Sequence, residues 1–308
     1  MRFEIGVPNT LMVVLTLLLG AVLSLWMGWV RGQRAGIVYG KRTKATILCP
    51  LFIAACSHLG YCLVSIPNVF YSWQFGQLFY GGLLGALLAL YITGGNEKAK
   101  LMESCAPSFA LMVLFARLAE GFSGQGYGEY WYEEPGFFCR FPFMTYDPYY
   151  ESWGWALFMA GAAVAVIILI VLFKRRSLFD GDGMLLFFGL YASAQVVLES
   201  LRRDEFLRWG FVRVEELLSA VAILVVLIAY WVRTGRAHAL QKALCMALFV
   251  SMVVFCLLLE FATEGRIPFL VFLDVWHCYA LMAVACAANA GCVLWMRRLS
   301  IPDKENVR

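Results

Sequence analysis

Nine apolar stretches divide this chain of 308 residues, centred near Leu19, Ala55, Leu84, Leu114, Ala163, Gly189, Val225, Val253 and Ala283. A helix needs about 20 apolar residues to cross a bilayer, and each stretch comes close to that length, although the third, fourth and sixth are short or carry polar residues near one end. The expectation is an all-α, polytopic transmembrane helical bundle of about nine spans. Composition agrees: 62% of residues are hydrophobic and 15% charged, against roughly half and a quarter in soluble domains. That balance excludes a water-soluble globule and a disordered chain. The first stretch begins within ten residues of Met1, but its basic residues follow it, the reverse of a cleaved signal peptide.

Lysine and arginine placement orients the spans. Loops one, three, five and seven and the C-terminal tail hold seventeen of the twenty-five basic residues, beginning with Arg31, Arg34, Lys41, Arg42 and Lys44. The other side holds Arg2, Arg117, Arg140, Arg202, Arg203, Arg208, Arg213 and Arg266. The positive-inside rule then places the N-terminus outside and the C-terminus in the cytoplasm. Four arginines crowd the external segment from Glu199 to Glu216, against that bias. Either they serve an anionic partner, or they pair locally with Asp204, Glu205, Glu215 and Glu216. Ten cysteines form no C-x-x-C, so neither a zinc knuckle nor a redox dithiol is expected. Eight lie inside apolar runs and read as small membrane-compatible hydrophobes. No metal and no cofactor is expected.

Polar residues inside spans are expensive and usually face a partner or a cavity. Running the third span inward from about Gln74, and the fourth and sixth outward, puts Tyr80, Arg117, Glu120, Gln195 and Glu199 within roughly 10 Å of the outer boundary at 1.5 Å per residue. Facing agrees with depth. Tyr191, Gln195, Glu199 and Arg202 make one helical stripe, and Arg117 and Glu120 share a face at i, i+3. Gly81, Gly82 and Gly85 allow close approach of another backbone or of a ligand. Together these residues predict a polar pocket open to the outer headgroups; a polar seam between helices is the alternative. The external loop from Gly121 to Trp153, rich in glycine and aromatics, reads as a lid over a lipid or peptide, or as an ordinary interfacial loop.

The order Tyr80-Gly81-Gly82-Leu83, then Ala116-Arg117-Leu118-Ala119-Glu120 through Gly128, then Tyr191 to Asp204 resembles the prolipoprotein diacylglyceryl transferase family. Ser57-His58-Leu59-Gly60-Tyr61 and Pro148-Tyr149-Tyr150-Glu151 support it, over roughly residues 10 to 235. The resemblance implies a seven-span core, here residues 1–236, followed by an additional two-span hairpin and tail, 237–308. It also implies a multi-pass enzyme of the bacterial inner membrane, with a phosphatidylglycerol-like phospholipid and a prelipoprotein signal peptide as partners, and no nucleic acid. Such enzymes move a diacylglyceryl group from the phospholipid to a lipobox cysteine thiol and release glycerol phosphate, which needs a cation for the phosphate and a base for the thiol.

Arg117, Gly124, Gly128, Glu199 and Arg202 match the family patterns, whereas Tyr80 stands for a histidine, Gln195 for an arginine, Glu120 for an asparagine and Gln125 for a glutamate. A phenol with a pKa near about 10 is a poor base at neutral pH, and glutamine removes a fixed positive charge. The resemblance assigns catalytic roles to Tyr80, Glu120 and Glu199, and substrate binding to Arg117, Gln125, Tyr191, Gln195, Arg202, Gly81 and Gly82. Glu120 either becomes the base or neutralises Arg117. The alternative function is a relative that binds phospholipid or lipopeptide without turnover. A transporter would want midplane polar groups and symmetric repeats, and neither is visible. No H-E-x-x-H, G-x-S-x-G or phosphate loop appears. Glu260, Asp274, His277 and Cys278 of the added hairpin read as a hydrogen-bonded packing cluster rather than a metal site.

Overall fold

A computed structural model of the chain describes residues 3–65, 77–131, 142–204, 207–209, 212–234, 238–263 and 273–300. Nine α-helices occur among these residues: α1 (Thr10–Arg34), α2 (Tyr39–Val64), α3 (Phe79–Gly94), α4 (Lys98–Phe122), α5 (Leu157–Lys174), α6 (Asp182–Leu201), α7 (Val214–Thr234), α8 (Ala239–Thr263) and α9 (Val275–Leu299). They fall on the nine apolar stretches. Eight helical stretches are long and apolar enough to cross a membrane, one being Phe79–Phe122, of 44 residues. The 3-10 turn Gly95–Glu97 breaks it into α3 and α4, with Gly95 at φ +52°, a conformation that suits glycine. The protein is a polytopic membrane helical bundle.

The chain divides into two compact units, Met1–Phe187 with Arg202–Glu215, and Phe188–Leu201 with Glu216–Arg308. In the first, small residues let helices approach closely. A Cβ on Gly81 would lie 2.6 Å from the Cys56 carbonyl oxygen of α2, and Gly85 lies as tightly against Phe52. Ser57 ties the same pair together by donating to the Leu78 carbonyl at 2.9 Å. Gly20 and Gly28 of α1 seat against Phe115 and Ser108 of α4. Pro50 and Pro107 sit inside α2 and α4.

One end of this unit carries a small antiparallel sheet, ordered β1 (Tyr127–Trp131), β3 (Ser152–Ala156), β2 (Met144–Asp147). The expectation of a lid or an interfacial loop over Gly121–Trp153 assigns the aromatics there to the headgroup region and contains no sheet. The same aromatics favour strands, and alternate residues of β3 are buried. The N-terminal segment is pinned to the sheet: Ile5 N–H donates to Tyr146 O at 2.9 Å, and Phe3 stacks on Phe122 with ring centroids 4.4 Å apart. A two-stranded ribbon, β4 (Arg208–Trp209) with β5 (Val212–Arg213), lies between α6 and α7 in sequence. At the opposite end of the unit Lys41 pairs with Glu97 at 2.7 Å, and Arg175 pairs with Glu103 and Asp182.

In the second unit, Gly189 of α6 faces Val226 of α7 and Val293 of α9. The buried side of α9 is made by Cys278, Met282, Ala285, Asn289, Cys292, Val293 and Met296, a helical stripe.

Candidate functional site

In the first unit the last two turns of α4 present Arg117 and Glu120 on one face, as their spacing predicts. Arg117 Nη1 meets Glu120 Oε2 at 2.5 Å. Arg202, from the segment after α6, reaches the other carboxylate oxygen, Oε1, at 2.7 Å. Arg202 then continues to Asp204, with Nε–Oδ1 at 2.9 Å and Nη2–Oδ2 at 2.5 Å. Arg213 closes the row: its Nη1 lies 3.5 Å from Asp204 Oδ1, and its Nη2 donates to the carbonyls of Arg202 and Asp204. Five charges alternate along a buried ladder, Arg117–Glu120–Arg202–Asp204–Arg213. Local pairing of the out-of-place arginines is therefore borne out for Arg202 and Arg213.

Buried charges are tolerable only when paired and hydrogen-bonded, and glycines make room for these. A Cβ on Gly161 of α5 would lie 2.9 Å from Arg117 Cδ, so the arginine stem occupies that space. Gly126, at φ +74°, packs on the Glu120 side chain while its N–H donates to Asp204 Oδ2 at 3.0 Å. Burial pushes the Asp204 carboxyl up. The hydrogen bond and charge of Arg202, the Gly126 amide and Arg213 outweigh it, holding the group below the usual carboxylate range. Arg203 adds a more exposed clasp, its Nε 2.7 Å from Glu129 of β1.

The remaining candidates of this unit are placed as follows. Tyr80 is buried, its ring edge-on to Phe79 at 5.4 Å. Arg117 stands 5.8 Å above the Phe79 ring, and Phe79 N–H donates to Glu215 at 2.8 Å. Of the two readings open for Gly81 and Gly82, close approach of another backbone or of a ligand, the structure shows the first: a Cβ at either position would meet Cys56, Ser57 or Ile53 of α2. Gln125 is exposed, and its N–H reaches the Glu120 carbonyl at 3.3 Å. Each Glu120 oxygen accepts from an arginine, Oε2 from Arg117 and Oε1 from Arg202; of the two readings open for it, the geometry favours neutralisation.

The second unit holds Tyr191, Gln195 and Glu199, all buried on the predicted stripe of α6. Gln195 Nε2 donates to Glu199 Oε1 at 2.6 Å. Next to them Ser200 donates to Glu216 at 3.3 Å, and Glu216 shares a side-chain hydrogen bond with Glu260 of α8. Glu260 is thus a packing residue, but the packing cluster expected around it is not one group. Asp274 and His277 are mostly exposed and 3.6 Å apart, while Cys278 is fully buried. Among the described residues no three His, Cys, Asp or Glu could hold a metal. Glu133, Glu134, Cys139, Arg140, Glu205 and Arg266 lie outside the described residues.

The sequence reading gave no role to Gly126 or Gly161, and offered Glu215 only as a partner for arginines, whereas it accepts from the Phe79 amide. A glycine in an apolar run looks the same whether it accommodates a helix or an arginine stem, so only Asp204 and Arg213 were findable, as opposite charges in one short segment.

Comparison with known proteins places this site in context. The family model described as prolipoprotein diacylglyceryl transferase matches residues 4–232. The phosphatidylglycerol–prolipoprotein diacylglyceryl transferase of Clostridium novyi is 24% identical over 220 residues, 67% of this chain and 84% of that protein. The proteins of the same name from Bacillus licheniformis and Oleidesulfovibrio alaskensis are 26% and 27% identical, over 71% and 67% of this chain and 87% and 76% of theirs.

Proposed function

Because the chain belongs to the prolipoprotein diacylglyceryl transferase family, we propose that it transfers the diacylglyceryl group of phosphatidylglycerol to the cysteine thiol of a prelipoprotein signal peptide. The thiolate sulfur bonds to the glyceryl carbon, the carbon–oxygen bond to phosphate breaks, and glycerol phosphate leaves; the thiol proton passes to a base. The observation that supports this reading is the convergence of Arg117 and Arg202 on the two oxygens of one carboxylate. Two guanidinium groups from distant segments are thereby held in register, a fork suited to phosphate oxygens. Glu120 sets their spacing rather than accepting the thiol proton.

The family pattern assigns the remaining roles in this proposal. Glu199, oriented by Gln195, is the proton acceptor. Tyr80 is a hydrogen-bond donor where the family has a histidine. Tyr191 and Gln125 contact substrate. Residues 1–236 form the transferase core and 237–308 an addition, in keeping with a family match that ends at residue 232. The same reading makes the protein a multi-pass component of the bacterial inner membrane, N-terminus outside and C-terminus cytoplasmic.

The test incubates purified full-length protein with labelled phosphatidylglycerol and a lipobox peptide, beside a working family enzyme. Thioether-linked diacylglyceryl peptide is expected, with at least a hundredfold loss in Arg117→Ala, on the order of one charge-assisted bidentate contact. Saturable lipid binding without product overturns catalysis and leaves a binding protein. Tyr80→His with Gln195→Arg then reports whether the substituted residues are what withholds turnover.

A further inference from the structure

At the end of the first unit opposite the sheet, α1 turns into α2 through Gly36, at φ +72°. Both helix ends here are basic. Arg31 and Arg34 close α1, where cations suit the helix dipole. Lys41, Arg42 and Lys44 open α2, where cations oppose it; the first turn of α2 has no acid, and its N-cap, Val38, offers no side-chain bond. A helix start built this way favours a nearby anion.

Lys41 and Arg31 are held by polar partners. Lys41 meets Glu97 at 2.7 Å, and Arg31 Nε donates to Ser104 O at 3.2 Å. Arg42 differs. Its guanidinium carbon lies 4.8 Å from the centroid of Trp29 and 5.8 Å from that of Tyr39, and these two rings meet edge-on at 5.3 Å. Its stem lies along Gly32, where a Cβ would come within 3.2 Å of Arg42 Cδ. Nε and Nη1 are buried and have no hydrogen-bond acceptor. The positive-inside bias accounts for lysines and arginines in this turn, but it makes no demand for a guanidinium set against a pair of touching rings with its stem along a glycine. Ring faces attract the cation without neutralising it. Beside it Trp26, Val38 and Tyr39 are more than half exposed, an aromatic and apolar margin of the kind that lies among lipid headgroups.

We propose that the α1–α2 turn is a binding site for the phosphate of an anionic phospholipid in the leaflet it faces, with Arg42 as the principal cation, Trp29 and Tyr39 holding it, and Lys44 and Arg34 at the rim. The site is separate from the Arg117–Glu120–Arg202 ladder and does not depend on the proposed transfer reaction.

The test is lipid retention by native mass spectrometry of the full-length protein in a neutral detergent, titrated with phosphatidylglycerol or with phosphatidylcholine of the same acyl chains. Wild-type and Arg117→Ala proteins are both expected to retain a phosphatidylglycerol that Arg42→Gln releases about fivefold more readily, the worth of one basic residue at a membrane surface. Tyr39→Leu keeps the charge and loses a ring, and is expected to weaken retention in the same direction. Equal retention of phosphatidylglycerol by wild type, Arg42→Gln and Tyr39→Leu overturns the proposal, as does equal retention of phosphatidylcholine. Displacement of the lipid by millimolar inorganic phosphate overturns the lipid assignment in favour of a free anion. Loss of retention only in Arg117→Ala shows that the lipid sat at the ladder instead.

Discussion

Arg202 is held by carboxylates and Arg42 by rings, and the two ends of the first unit differ in what they leave for a ligand to do. Along the ladder, Glu120 and Asp204 sit between arginines, so each guanidinium has a carboxylate partner and the row of three cations and two anions keeps one positive charge in excess. At the α1–α2 turn the cation is stacked on Trp29 and Tyr39, and Nε and Nη1 meet no acceptor. An acid partner fixes an arginine's position and also supplies its counter-charge, whereas an aromatic partner fixes position alone. Stability should therefore depend strongly on the ladder and weakly on the turn.

The largest expected effect follows from deleting the middle of the ladder. Asp204 accepts from Arg202 twice, from the Gly126 amide and from Arg213. Asp204→Ala leaves two buried guanidinium groups short of a partner and should cost about 3–5 kcal/mol, the range for breaking a buried pair. Thermal unfolding in detergent should register it as a large fall in Tm, while Arg42→Gln moves Tm far less. Similar falls in both variants would erase the distinction between the two ends.

Acid offers a milder version of the same deletion. The Asp204 carboxyl is held below the usual range in the folded protein, so the stability it contributes is fully present above its unfolded pKa of about 3.9. That contribution is lost as pH falls through the folded value. Tm of the wild type should decline in that acidic window, and Asp204→Asn should show a shallower decline over the same pH values. Parallel curves would mean that other carboxylates govern the acid limb.

A smaller effect is expected at Gly161. Adding a methyl group there brings a Cβ within 2.9 Å of Arg117 Cδ, which displaces the stem and costs about 1–3 kcal/mol as overpacking. If the proposed function holds, transfer activity should fall more steeply than stability, because the guanidinium shifts while its ion pair can follow. Activity unchanged by Gly161→Ala would argue that the position of Arg117 is not critical.

These positions differ in how far the sequence discloses them. Facing and depth on a helix follow from 3.6 residues per turn, so the Tyr191–Gln195–Glu199 stripe and the Arg117–Glu120 pair are legible, as are all nine helices. The β1–β3 sheet was not, because its strands are short and their pairing is set by non-local contacts with the N-terminal segment. Gly81, Gly126, Gly161 and Gly32 look alike in sequence, yet they face a helix backbone, a carboxylate, an arginine stem and another arginine stem. Arg42 is concealed for a different reason. The basic residues of this turn all satisfy the same topological bias, so one whose Nε and Nη1 meet no acceptor does not stand out until its neighbours are known.

Gly32 provides the smallest and most discriminating perturbation. Its hypothetical Cβ meets Arg42 Cδ at 3.2 Å and Cγ at 3.4 Å, close enough to push the stem by a few tenths of an ångström but not to expel it. Gly32→Ala also removes a glycine from the last turn of α1, which favours the helix by up to about 1 kcal/mol. The two consequences oppose each other in stability, so Tm should move little in either direction. They do not oppose each other in lipid retention, where only the tilt of the guanidinium against Trp29 and Tyr39 matters. A variant as stable as the wild type that releases phosphatidylglycerol more readily would separate the positioning of Arg42 from folding. Unchanged release from a demonstrably folded Gly32→Ala protein would show that the ring contacts alone fix the cation and that Gly32 takes no part.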